Sequence, residues 1–345
     1  MFPMLYIAGL IAAAMIAWSI GSNDMANSTS VVVGSGVLRF RTAFVLFSVS
    51  QLIGALIQGY MVMKTLGKGI VPEIDVVGAI AASLAAFIWI MIATVVGAPI
   101  STTHSITGGI IGVGLAYALF GTMTEITINL FVIRDIILSW IVSPLMAMIL
   151  AMPLYYIVKR FYDSVKVNEK RNKFNLFVIL FSAFSAYSFG ANDVANATGV
   201  YITVTSKYFG LLDEQSMRLL ALYSSFFIAL GGLILGYKVV NTLAFKVTKL
   251  NIPMAIAAGF ANAFTVWIFT TIPYLILGYG LPISTTYAAA GSIIGVGIAK
   301  SKSFHDIDKK TLIFIISSWM FTLPITMMLG LGIYYLLAVI LGVGL

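Results

Sequence analysis

Two short stretches place carboxylates where a carboxylate is expensive. Gly190, Asn192, Asp193, Ala195 and Asn196 repeat an earlier set, Gly21, Asn23, Asp24, Ala26 and Asn27, with five identities in seven positions. Both sets sit in strongly apolar sequence. On a helix, Asn192 and Asn196 are four residues apart and Asp193 and Asn196 three apart, so all three share one face. An ionisable group in such a setting is a functional-site hypothesis by default. Its charge must be neutralised by a proton, a cation or a basic partner. Neither motif contains Lys or Arg, which leaves a cation or a proton. The neighbouring carboxamide oxygens of Asn23, Asn27, Asn192 and Asn196 are hard ligands of the kind that suit Na⁺. The competing structural reading is that Asp and Asn only cap interrupted helices. Two copies of one motif favour a symmetric binding site built by duplication.

A second pair of motifs has the opposite character. Ser101, Thr102 and Thr103 follow Pro99, and Ser284, Thr285 and Thr286 follow Pro282. Proline followed by small hydroxyl residues reads as a helix start. Free backbone N–H groups and hydroxyls then point the same way, which favours an anion. Two ionised aspartates would repel such an anion. Bound Na⁺ or a proton on the carboxylates removes that conflict, so the pairing argues for cation-coupled anion symport over a passive anion pore.

The elements that must hold these groups are membrane helices. Of 345 residues, 60% are hydrophobic and 9% charged, far from the roughly 25% charged residues of a soluble domain. The chain is expected to be an all-α polytopic membrane protein of about 10–12 transmembrane segments. With no cysteine, disulfide and thiol chemistry are excluded. His104 and His305 are far apart and form no metal cluster, and no covalent cofactor is expected. Residues 3–38 are longer than the roughly 20 needed for one span, and the motif at 21–27 reads as a break in that helix. Residues 43–63 and 77–98 are further spans. Residues 105–120, like 283–299 later, either cross or re-enter. Residues 126–158 and 311–343 are long enough to supply an extra crossing each. Trp140 and Trp319, each shortly before a proline (Pro144, Pro324), mark matching helices.

Residues 99–114 and 282–297 agree at eleven of sixteen positions without a gap. Two distinct motifs in the same order in both halves indicate internal duplication. The domains read as a first transmembrane repeat over 1–158, a basic linker over 159–173 and a second repeat over 174–345. With five crossing units per half and the termini outside, 15 of the 20 basic residues fall inside, including the linker, which the positive-inside rule supports. An odd number of crossings makes the halves antiparallel: two inverted-topology repeats whose broken helices meet near the membrane midplane. The net charge of +8 then reflects cytoplasmic loops, not nucleic-acid binding.

The doubled Gly-x-Asn-Asp-x-Ala-Asn motif, with the doubled Ser-Thr-Thr motif, resembles the signature of the PiT family of inorganic phosphate transporters over nearly the whole chain. The resemblance implies a phosphate symporter of the cell membrane driven by Na⁺ or H⁺, built from inverted repeats. It implies that Asp24, Asn27, Asp193 and Asn196 serve cations. It also implies that Asn23, Asn192 and the two hydroxyl runs (Ser101, Thr102, Thr103; Ser284, Thr285, Thr286) face the anion. The chain departs from the family pattern at Phe189, where many members have His, and at Asn262, where many have an acid; the second hydroxyl run is followed by Tyr287, whereas the first is followed by His104. The family also contains sulfate permeases. Expected partners are phosphate or sulfate and the lipid bilayer, with a homodimer as the assembly to test. A channel would carry a continuous polar path or charged rings, and an enzyme would carry a nucleophile–base pair or metal cluster; neither pattern is visible.

Overall fold

The computed structural model describes residues 2–68, 70–71, 74–120, 129–165, 167–209 and 214–342, without the side chains of 2–3, 64, 67–68, 167–172, 203 and 206–209. The sequence folds into helices α1 (Phe2–Gly34), α2 (Phe40–Gln58), α3 (Tyr60–Lys68), α4 (Val76–Val96), α5 (Thr102–Phe120) and α6 (Leu130–Ser164). Then come α7 (Val167–Phe209), α8 (Glu214–Leu235), α9 (Tyr237–Asn241) with a π-helical turn at Thr242–Lys246, α10 (Ile252–Leu277), α11 (Thr285–Ser301) and α12 (Lys309–Leu341). The polar residues punctuating the apolar runs set the ends. Asp75, Asn129, Asn251 and Asp308 cap α4, α6, α10 and α12 by accepting from backbone N–H groups of the first turn. Gly97 (φ 74°) and Gly278 (φ 81°) end α4 and α10 in the left-handed conformation, which glycine adopts without steric cost.

Nine of the described helices are long and apolar enough to cross a membrane; α11, at 17 residues, is the counterpart of α5, which is one of the nine. The protein is a multi-pass membrane protein. Its outside is greasy, with Ile149, Phe226, Phe321 and Met328 each more than 60% exposed, while Ser22, Asn23, Asp24, Asn192 and Asp193 are wholly buried.

The halves pack in the same way and through each other. α1 lies on α8 and α2 on α7, while α6 lies on α11 and α12 on α5. Glycines make these approaches possible. A Cβ at Gly21 would strike the Ile228 carbonyl and one at Gly190 the Gln51 carbonyl; Gly231 and Gly54 face the Trp18 and Tyr187 carbonyls in return. Likewise Gly291 and Gly295 sit on Pro144 and Met148, and Gly108 and Gly112 on Leu323 and Met327.

Two expectations are corrected. The motifs at 21–27 and 190–196 do not break their helices, since α1 and α7 run through them for 33 and 43 residues. No proline interrupts them, and their Asn and Asp side chains bond to neighbouring elements instead of to their own backbone. The breaks lie at 97–101 and 278–284, where glycine and proline stop one helix before the hydroxyl residues start the next. Residues 126–158 and 311–343 supply no extra crossing within the described residues, because α6 and α12 are continuous through Pro144, Pro153 and Pro324. The stretch 159–173 is largely helical: α6 reaches Ser164 and α7 begins at Val167. Residue 166 and the side chains of 167–172 lie outside the description. α5 returns along α4, with Gly109 against Ala82 and Val113 against Gly78. α11 likewise packs on α10. Each pair is therefore a hairpin whose tip is buried at the polar motifs.

Candidate functional site

The two hairpin tips meet between the middles of α1 and α7. Asn23 and Asn192 hold the tips in place. Asn23 donates through Nδ2 to Thr94 Oγ1 and the Ala98 carbonyl, both at 3.0 Å, and its Oδ1 accepts from the Ile100 N–H at 3.2 Å. Asn192 repeats this on the other hairpin with Thr270 Oγ1 (2.8 Å), the Leu281 carbonyl (3.0 Å) and the Ile283 N–H (3.2 Å). Both carboxamides are committed to backbone groups that the helix breaks leave unpaired. In this state they clamp the tips and do not face an open site, unlike the anion-facing role the resemblance implied. Ser101 and Ser284 are also committed, as caps accepting from the N–H groups of His104 and Tyr287 at 3.2 Å.

The threonines and the second asparagine of each motif build the centre. Thr102 Oγ1 donates to Asp24 Oδ2 at 2.6 Å, and Thr285 Oγ1 makes the equivalent bond to Asp193 Oδ2. These bonds stay within one half. Asn27 and Asn196 cross between halves: Asn27 Nδ2 reaches Thr285 and Thr286 at 3.0 Å, and Asn196 Nδ2 reaches Thr103 at 3.1 Å and Thr102 at 3.3 Å. Thr103 and Thr286 then donate to the Ile283 and Ile100 carbonyls of the opposite tips, both at 2.8 Å. Sequence spacing alone could not show this exchange, since it joins residues 93 to 259 positions apart.

The electrostatics are one-sided. Asp24 and Asp193 are 0% exposed, and their hydrogen-bond partners are hydroxyls and a carboxamide, with no cationic side chain among them. Asn27 Oδ1 and Asn196 Oδ1 are buried with no hydrogen-bond partner among the described residues. A buried polar atom left unpaired is costly. Two symmetric carboxamide oxygens without a donor, beside two carboxylates, form a hard oxygen set that fits a monovalent cation. The first turns of α5 and α11 are the helix ends at the two tips, and a helix N-terminus suits an anion.

The chain matches the model of the phosphate transporter family over residues 20–330. The chain belongs to the phosphate transporter family. Among its relatives, a protein of Pyrococcus furiosus named "Putative phosphate permease" is 31% identical over 93% of both chains. The sulfate permease CysP of Bacillus subtilis is 30% identical, over 96% of this chain and 86% of that one. A solved structure titled as the sodium-dependent phosphate transporter superposes with a TM-score of 0.83 at 27% identity, covering 98% of this chain and all of that one. The twelve residues of the two doubled motifs lie together, at the hairpin tips and the middles of α1 and α7. Sequence reading missed Thr94 and Thr270, which receive the clamping asparagines; the signal was a hydroxyl near the end of each helix before the break. Asn262 is placed beside the site: its Nδ2 donates to the Asn27 carbonyl and to Ser185 Oγ, both at 2.8 Å.

Proposed function

We propose that this transporter moves inorganic phosphate across the cell membrane by symport with Na⁺. The carrying observation is the pair of wholly buried carboxylates, each next to an unpartnered carboxamide oxygen and with no basic side chain bound. Such a site is incomplete without a cation, and phosphate, which carries between one and two negative charges near neutral pH, cannot join two ionised carboxylates without one. Asp24, Asn27, Asp193 and Asn196 hold the cations. Thr102, Thr103, Thr285 and Thr286, with the N-termini of α5 and α11, receive the anion once their hydroxyls turn from the carboxylates. The halves are inverted repeats, 1–158 and 174–345, that rock about this centre. The termini lie outside, the 159–173 stretch lies in the cytoplasm, and lipid covers the apolar surface.

Na⁺ is preferred over H⁺ because a proton would not require the two carboxamide oxygens. Sulfate is the second reading, favoured by the likeness to the sulfate permease at the same level of identity. Uptake of labelled phosphate and sulfate into proteoliposomes under an imposed Na⁺ or proton gradient separates these readings. Concentrative phosphate uptake driven by Na⁺ alone is the expected result; uptake of sulfate only, or driven by a proton gradient without Na⁺, would overturn it.

A further inference from the structure

The hairpin tips carry a second doubled feature, joined to the site through the contact of His104 Nδ1 with Ser101 Oγ at 2.5 Å. His104 and Tyr287 occupy the same position in the two hydroxyl segments. Their rings face each other at 4.7 Å across the junction of the halves. His104 stacks on Trp140 at 3.4 Å and Tyr287 on Trp319 at 3.7 Å. Four rings thus run from α6 through both tips to α12. The two ends of this stack are not alike. Trp319 Nε1–H donates to the Pro99 carbonyl, which begins the first tip, at 3.1 Å. Trp140 Nε1, buried at 6% exposure, has no hydrogen-bond partner among the described residues. The carbonyl equivalent to that of Pro99 belongs to Pro282. Among the described residues it receives Ser139 Oγ at 3.3 Å, a hydroxyl already 2.6 Å from the Ile136 carbonyl.

A difference in register does not cause this asymmetry. Gly291 and Gly295 meet Pro144 and Met148 of α6 just as Gly108 and Gly112 meet Leu323 and Met327 of α12. The glycine contacts and the two tryptophans share one offset between halves. Helix packing is therefore equivalent while the indole bonds are not. A buried donor without an acceptor raises the free energy of the state that contains it. In a transporter of inverted repeats, the opposite-facing state is reached when the two repeats exchange conformations.

We infer that Trp140 and Trp319 are alternately engaged anchors of the two hairpin tips. In the state seen here Trp319 holds Pro99 and Trp140 is free. In the exchanged state Trp140 donates to the Pro282 carbonyl and Trp319 releases Pro99. The ring stack couples the two, because movement of one tryptophan displaces the His104–Tyr287 pair against the other. Both are positioning residues: neither bonds to an Asp carboxylate or to a threonine of the centre, and each acts through the tip it holds. The inference rests on the proposal above that the two repeats rock about the centre during transport.

The test reads the two indole N–H groups directly. The five tryptophans are labelled with ¹⁵N at the indole nitrogen, and the protein is placed in lipid nanodiscs. Trp→Phe variants assign the signals and keep the stacking ring. Trp319→Phe should move the Trp140 signal towards the hydrogen-bonded position, raising that population roughly five- to tenfold, the effect of losing one hydrogen bond. Trp140→Phe should move the Trp319 signal further towards the bonded position. Adding sodium phosphate to the wild type should shift the two signals in opposite senses. Signals that do not respond to each other's substitution, or that shift in the same sense, overturn the inference. If Trp140→Phe does not fold, the Trp140 signal in Trp319→Phe decides alone. Uptake measured on the same preparations tests the transport reading separately, since coupled indole signals without uptake would reject transport and keep the anchors.

Discussion

At the scale of single residues, the site divides into groups proposed to bind and groups that hold the hairpin tips. Asn23 and Asn192 spend their polar atoms on the hairpin breaks, so Asn23→Ala or Asn192→Ala should lower thermal stability. Unpaired backbone groups cost roughly 1–3 kcal/mol each. The melting temperature in detergent checks this, and an unchanged value in both variants would show that other groups satisfy the breaks. Thr102 and Thr285 lie against the carboxylates instead. Thr102→Val or Thr285→Val removes a donor and roughly keeps the shape. A hydrogen bond to a charged group is worth roughly 1.5–3 kcal/mol, so phosphate affinity should fall about tenfold or more while the protein stays folded. Phosphate titration by calorimetry reads this, and unchanged affinity in both variants would remove these hydroxyls from the site. The aspartates and the hydroxyl runs were legible in the sequence because charge and clustered hydroxyls stand out in apolar helices. The different work of Asn23 and Asn27 was not legible. Both are carboxamides on one helical face, and their partners lie on hairpins distant in sequence.

At the scale of elements, the helices follow their caps and glycines. The break within each hairpin was readable from the proline before each hydroxyl run. The break expected inside α1 and α7 was not there, because polarity alone does not interrupt a helix whose side chains find partners elsewhere. Gly21 and Gly190 lie where α1 and α7 come close to the backbones of α8 and α2, so a methyl group there must push a backbone away. Gly21→Ala and Gly190→Ala should each destabilise the protein by about 1–3 kcal/mol or more, the usual effect of overpacking. Gly332, in α12, has nothing within 4 Å of an added Cβ, so Gly332→Ala should be neutral or slightly stabilising. Thermal unfolding of the three variants side by side checks the prediction. Equal behaviour would show that the α1–α8 and α2–α7 approaches relax freely.

At the scale of the whole molecule, both polar motifs occur twice, and the asparagine of each half bonds to the hydroxyl run of the other. That the halves match was legible from two motifs in one order. That they interlock, with Asn27 bonded to the second hydroxyl run and Asn196 to the first, was not, because sequence order does not say which half a helix packs against. The proposed orientation rests on charge: single cysteines introduced at Lys159 or Lys173, in a chain that has none of its own, should react with impermeant reagents only from the cytoplasmic face. Labelling from outside would invert the topology. The central claim is that two buried carboxylates tie anion movement to a cation. Asp24→Asn and Asp193→Asn keep size and hydrogen bonding and delete the charge, so Na⁺-driven phosphate uptake into proteoliposomes containing folded variant is the most direct measurement. Each variant should lose concentrative uptake and the Na⁺ dependence of phosphate binding; uptake like that of the wild type in both would show that these carboxylates are structural and that the cation acts elsewhere.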